Sequence, residues 1–184
     1  RAWVGAREHR RLAEQMDLKI TPAETLLAQK PSAWAKGQVL QAANLVPGMP
    51  EADYLLGLVL KQEGDLAGTE AALKRAVAGK GDPGWKASLA EFLRGKGLGA
   101  ILKKPRDLEA ARSAWLEALT FYPPGTDTSG LRGLLEMAEG NLLKERFGAA
   151  AAAFAAKDYR RARDGFASSL ELAPDFFEAW LNLG

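Results

Sequence analysis

Apolar and small residues recur along this chain at intervals of three and four residues, the spacing of one face of an α-helix. In four segments a small residue, a large apolar residue and a second small residue follow one another at this spacing, and a proline comes after them. A stripe of this kind has to pack against a neighbouring element, so the pattern predicts an all-α fold. The four segments are Ala35, Val39 and Ala42 before Pro47; Thr69, Leu73 and Ala76 before Pro83; Ala111, Trp115 and Ala118 before Pro123; and Ala162, Phe166 and Ser169 before Pro174.

A further helix is expected before each of these segments. Thr21-Pro22-Ala23-Glu24 is typical of a capping box with proline at the first helical position, and a second helix start is expected at Pro50. Longer stretches precede the third and fourth segments, and we predict a single long helix in each, over residues 82–104 and 128–156. Glycines within both stretches leave open the alternative of a short helix followed by a turn.

Several of these segments resemble the tetratricopeptide repeat family. The family's Leu-Gly pair is matched by Leu56-Gly57 and its Gly-Asp turn by Gly64-Asp65; Leu98-Gly99 and Asp107 repeat the pattern. Between Gly57, Gly99 and the equivalent Ala150 lie intervals of 42 and 51 residues, whereas the family period is 34. The resemblance implies a superhelical solenoid of antiparallel helix pairs. Its expected parts are an N-terminal helix at 1–15 and repeats at about 16–49, 50–83, 84–125 and 126–176, with a further repeat beginning at 177–184.

Composition excludes several classes of chemistry. The chain has no cysteine, so disulfides and thiolate sites are ruled out, and its single histidine, His9, lies between Glu8 and Arg10 on a polar helix face. The glycine-rich segments 79–84 and 95–99 lack the spacing of a phosphate-binding loop. We therefore expect no catalytic residue, no cofactor and no metal.

The mixed charge, with a formal net value of +2, gives no sign of nucleic-acid binding. No apolar run approaches the roughly 20 residues that a membrane-spanning helix needs. The expected partner is therefore a protein or a peptide. The compartment stays open: the cytoplasm is the working expectation, and the periplasm is the alternative.

The family resemblance also implies where a partner would bind. In tetratricopeptide proteins the first helices of the repeats line a concave groove that receives a peptide or helix. Carried over by register, this groove would have an apolar centre and several lysines, which would suit a mildly acidic segment. The residues are Tyr54, Leu58, Lys61, Gln62, Lys103, Lys104 and Phe147.

Two further sets of residues follow from the same register. The positions expected to be buried are Leu56, Leu60, Leu73, Leu102, Trp115, Phe166 and Leu170, and Trp180 also matches a family core position. The last helix has no following partner helix in this sequence, so we expect an apolar surface there that favours self-association. Its residues are Phe176, Phe177, Trp180 and Leu183.

These observations together predict a non-catalytic scaffold for protein–protein interaction. Two alternatives remain open at the level of sequence. One is a regulatory or sensory helical domain of a larger protein, and the other is a periplasmic or membrane-anchored assembly factor.

Overall fold

The computed structural model describes residues 37, 39–41, 44, 46 and 48–183. Throughout these residues the regular structure is α-helical and contains no strand, which confirms the predicted class. The predicted N-terminal helix, the capping box at Thr21, and His9 lie outside the described residues. The helices are α1 (Pro50–Glu63), α2 (Leu66–Lys80), α3 (Pro83–Leu102), α4 (Leu108–Phe121), α5 (Ser129–Ala155), α6 (Tyr159–Leu172) and α7 (Phe177–Leu183).

The two predicted long helices are present. Residues 82–104 were expected to form one helix and contain α3, and residues 128–156 contain the 27-residue α5. The chain divides into two compact units, Arg1–Leu89 and Ala90–Gly184, and the division falls within α3.

In the first unit α1 and α2 form a tightly packed hairpin. Gly64 ends α1 with a φ of 80°, a left-handed conformation that costs glycine little, and Asp65 begins α2 by accepting a hydrogen bond from the backbone N–H of Gly68 at 2.8 Å. The two helices approach closely at Gly57, where a Cβ atom would lie 2.8 Å from Leu73 Cδ2. This hairpin buries Leu73, as predicted.

In the second unit successive helices pack on one another: α4 on α5, α5 on α6, and α6 on α7. Asp107 and Asp158 begin α4 and α6 in the way that Asp65 begins α2, each accepting a hydrogen bond from the backbone N–H three residues later. The largest buried side chains are Trp115 and Phe166, which confirms both predictions. The same aspartate cap therefore opens three helices, each of which carries one of the sequence segments described above.

The register predicted around Gly99 is wrong by two residues. A Cβ on Gly97 would lie 2.2 Å from Trp115 Nε1, whereas one on Gly99 would meet no atom within 4 Å. The cause is the connection between α3 and α4, which spans residues 103–107, whereas only Gly64 and Asp65 separate α1 from α2. The longer connection moves the point of close approach back along α3.

Several positions that were predicted to be buried are more exposed than expected. Leu102 was expected in the core, but it is the last residue of α3 and is 80% exposed. Leu56, Leu60 and Leu170 are only half-buried. Trp180 was expected at a core position from the resemblance to the repeat family, but it is 56% exposed because α7 packs through its other face.

Candidate functional site

Tyr54, the predicted centre of the groove, contacts residues of its own unit. Its ring stacks on Trp85 with centroids 5.0 Å apart and an angle of 14° between the planes, and its hydroxyl lies 3.1 Å from Ser88 Oγ. Lys80 Nζ lies 5.3 Å from the centroid of the Trp85 ring and 2.7 Å from Glu51 Oε1. The structure thus gives Tyr54 a role in connecting α1 to the beginning of α3.

The other predicted groove residues of the first unit lie further along α1. Leu58 is half-buried and packs against the cluster formed by Val39, Leu55 and Val59. Lys61 and Gln62 are exposed at the end of the helix. Part of the Leu58 side chain is therefore already used for packing within its own unit.

In the second unit Phe147 is likewise engaged in internal contacts. Its ring centroid lies 5.3 Å from that of Phe166 and 5.0 Å from that of Phe176. It packs with Leu183 against a cluster that includes Ala150 and Phe166. Phe147 thus joins α5 to α6 and to Phe176, the residue just before α7.

Lys103 and Lys104 lie together in the exposed connection between α3 and α4. This connection borders a cavity of about 500 Å³. We call this space the loop cavity. It is lined by Lys103, Lys104, Pro105, Arg106, Asp107, Leu108, Glu109, Leu142 and Glu145. Arg106 is a third cation at this site that the sequence analysis missed, although it stands only two residues after Lys104.

The carboxylates at the loop cavity differ in what they contact. Asp107 accepts the 3.0 Å hydrogen bond from the backbone N–H of Ala110 that caps α4. Glu109 forms an ion pair with Arg146, which also donates to the backbone oxygen of Ser168 at 2.7 Å. Glu145 makes no ion pair with any described residue. Asp107 and Glu109 are therefore already bound to other groups of the protein, whereas among the described residues Glu145 is not.

A second feature of this unit is the outward face of α7. Phe177, Trp180 and Leu181 are 69%, 56% and 69% exposed, and their spacing places them side by side on the helix. We call them the α7 apolar face. The ring of Trp180 is held in place because its Nε1 donates to the backbone oxygen of Pro174 at 2.8 Å.

The inward side of α7 explains how this face arises. Ala179 is fully buried, Leu183 packs against the Phe166 cluster, and Phe176 contacts Phe147. Of the four residues predicted to form an exposed surface, Phe177 and Trp180 are exposed, and Phe176 and Leu183 are half-buried. Leu181 was missed, although it lies four residues after Phe177 on the same helical face.

The charged residues of the segment that contains α7 are all acidic, although Arg146 and Arg163 outside it pair with Glu171 and Asp164. Residues 164–184 contain four acidic residues and no lysine or arginine. Glu178 is exposed beside Phe177 in the helix, and Asp175 is exposed just before it. The apolar face of α7 therefore lies in an acidic part of the chain.

Within the part of the chain that the structure describes, no group of three or more histidine, cysteine or acidic side chains could hold a metal ion. Over the same residues, no helix combines the length and the apolar character that crossing a bilayer requires.

One titratable side chain of the second unit has a strongly altered pKa. Burial, followed by the hydrogen bond to Glu91 and by the charge of that carboxylate, raises the pKa of Tyr122 to about 12 from 10.0. Tyr122 Oη donates to Glu91 Oε1 at 2.6 Å, and Arg94 pairs with the other oxygen of Glu91 at 2.9 Å. These contacts join the end of α4 to α3.

The raised pKa of Tyr122 makes the stability of the protein pH-dependent. Folding favours the neutral phenol, so its contribution is complete below pH 10, the unfolded value, and is lost as the pH rises towards about 12. We expect Tyr122→Phe to remove the component that ionises near pH 12 from a spectrophotometric titration of the tyrosines. Persistence of that component in the variant would show that another tyrosine produces it.

No model of a known protein family matches this chain, and no curated protein is significantly similar to it. The tetratricopeptide resemblance therefore rests on the residue pattern alone.

Proposed function

We propose that this chain is a non-catalytic protein-interaction module, and that the α7 apolar face binds an amphipathic helix of a partner protein. The exposed aromatic and aliphatic side chains of Phe177, Trp180 and Leu181 support this proposal. Aromatic residues, tryptophan above all, contribute a large share of the binding energy at protein interfaces. The hydrogen bond from Trp180 to Pro174 reduces the entropy that the ring would lose on binding.

The chemistry of the partner follows from charge. The charged side chains of the segment 164–184 are all acidic, and of these Glu178 borders the apolar face and Asp175 lies just before α7. A helix with lysine or arginine beside its apolar stripe would place opposite charges across the interface. A second copy of this chain would instead bring the same carboxylates together. A basic amphipathic helix is therefore the occupant that we propose, and self-association is the competing outcome.

The proposal includes a tetratricopeptide-like arrangement of the helix pairs. Three aspartate caps at equivalent positions and two close approaches between helices support it: Gly57 contacts Leu73, and a Cβ on Gly165 would lie 2.7 Å from that of Ala150. The groove predicted from the family register has residues in both units, and it stays a prediction.

The α7 face can be tested with a defined ligand. We expect a fluorescein-labelled amphipathic helix of about 18 residues, with leucines on one face and lysines beside them, to bind the full chain. Replacing Phe177, Trp180 and Leu181 together by serine should weaken this binding at least about tenfold, because the apolar contacts are lost. Fluorescence anisotropy would measure both affinities.

The control removes three other exposed large apolar side chains of the described chain. Leu66→Ser, Leu102→Ser and Met137→Ser, combined in one chain, should leave the affinity unchanged. A peptide with glutamate in place of lysine should bind more weakly. Equal loss of affinity in the two triple variants would contradict the proposal. Sedimentation velocity would also contradict the proposal if it showed a concentration-dependent dimer that the α7 substitutions abolish. The occupant of the α7 apolar face would then be a second copy of the chain.

A further inference from the structure

We propose that the loop cavity is a second binding site, and that it takes an acidic segment of a partner protein in which carboxylates alternate with an apolar side chain. The inference rests on the proposed function, because it assigns a second contact to a protein-interaction module. It concerns residues that the α7 apolar face does not include.

The cations of the loop cavity are available to a ligand. Lys103, Lys104 and Arg106 are all exposed, and none forms an ion pair with another residue in the described part of the chain. They stand within four consecutive positions and line the same cavity. Three cations held close together and not engaged in ion pairs attract an anionic ligand and increase its rate of association, although three carboxylates line the same cavity.

The remaining lining favours a peptide with an apolar side chain. Leu108 and Leu142 are buried side chains that contribute an apolar part of the cavity wall. A cavity of about 500 Å³ has the size of an ordinary small-ligand site, so it can hold a few side chains of a peptide. Carboxylates on either side of a leucine could therefore reach the loop cations while the leucine contacts this wall.

The acidic side chains at the cavity argue against a highly charged ligand. Asp107, Glu109 and Glu145 line the same space as the three cations. They would repel the closely spaced phosphates of a nucleic acid, whose binding depends on many phosphate contacts. A peptide that brings two or three separated carboxylates meets less of this repulsion. The acidic peptide is therefore preferred over RNA.

The test uses the full chain and a fluorescein-labelled peptide with three Glu-Leu repeats. We expect half-saturation below about 1 mM and weaker binding as salt is added, because exposed charges are screened. Replacing Lys103, Lys104 and Arg106 together by glutamine should lower the affinity at least about tenfold and remove most of the salt dependence. Glu145→Gln should raise the affinity about threefold, since it removes a nearby like charge.

The matched control replaces three exposed arginines of the same unit, Arg132, Arg160 and Arg161, by glutamine. It changes the net charge equally and should leave the affinity near that of the unaltered chain. Equal losses in the two variants, no binding of the peptide, or tighter binding of a single-stranded RNA of similar length would each overturn the inference.

The two proposals fail separately. The serine variant of the α7 apolar face should bind the acidic peptide normally. If the acidic peptide does not bind while the basic helix does, only the inference about the loop cavity is wrong. If neither peptide binds, both the inference about the loop cavity and the proposed function are wrong.

Discussion

Replacing Trp115 by alanine is expected to lower the free energy of unfolding by about 3–5 kcal/mol, the range for a large aromatic side chain in a core. The indole is completely buried, and its Nε1 donates to the backbone oxygen of Arg94 at 3.1 Å. Truncation would leave a cavity between α3 and α4 and remove this hydrogen bond. Urea unfolding followed by circular dichroism would measure the loss.

Trp115→Phe provides the graded control. Phenylalanine keeps most of the apolar volume but cannot donate to the Arg94 oxygen, so its cost should be clearly smaller than that of alanine. A loss below about 1 kcal/mol for Trp115→Ala would show that this side chain is not in the core, because truncation at surface positions rarely costs more.

Replacing Gly97 by alanine is expected to destabilise the protein by about 2–3 kcal/mol, within the usual cost of overpacking a core. The added Cβ would lie 2.2 Å from Nε1 and 2.6 Å from Cδ1 of Trp115. The indole is fully buried and hydrogen-bonded, so it cannot move away cheaply. The clash therefore outweighs the gain of about 1 kcal/mol that alanine has over glycine within a helix.

Gly99→Ala is the matched control in the same helix, and its expected effect on stability has the opposite sign. No atom lies within 4 Å of the position of its Cβ, so only the helix preference remains, and the variant should be more stable by about 0.5–1 kcal/mol. The same urea experiment measures both. If Gly99→Ala destabilises and Gly97→Ala stabilises, the register of the sequence analysis is right and the contact between Gly97 and Trp115 is not formed.

The local structure of this chain could be derived from its sequence. Helix period and capping depend on residues a few positions apart, so the all-α class and the positions of α4, α5 and α6 were predictable. Asp107 and Asp158, each just before a helix-period run, are signals of the same local kind. Trp115 and Phe166 were predictable as core residues because each lies centrally in such a run.

Tertiary structure decided the features that depend on distances between helices. Gly97 and Gly99 are two residues apart in one helix, and only the five-residue connection to α4 determines which of them meets Trp115. The same connection leaves Leu102 exposed and brings Arg106 to the loop cavity beside two residues of α5. In α7, packing through Ala179 and Leu183 turns Trp180 outward. Periodicity defines an apolar face within a helix, but the partner helix selects the part that is buried, and that selection depends on connection length and packing that no local pattern encodes.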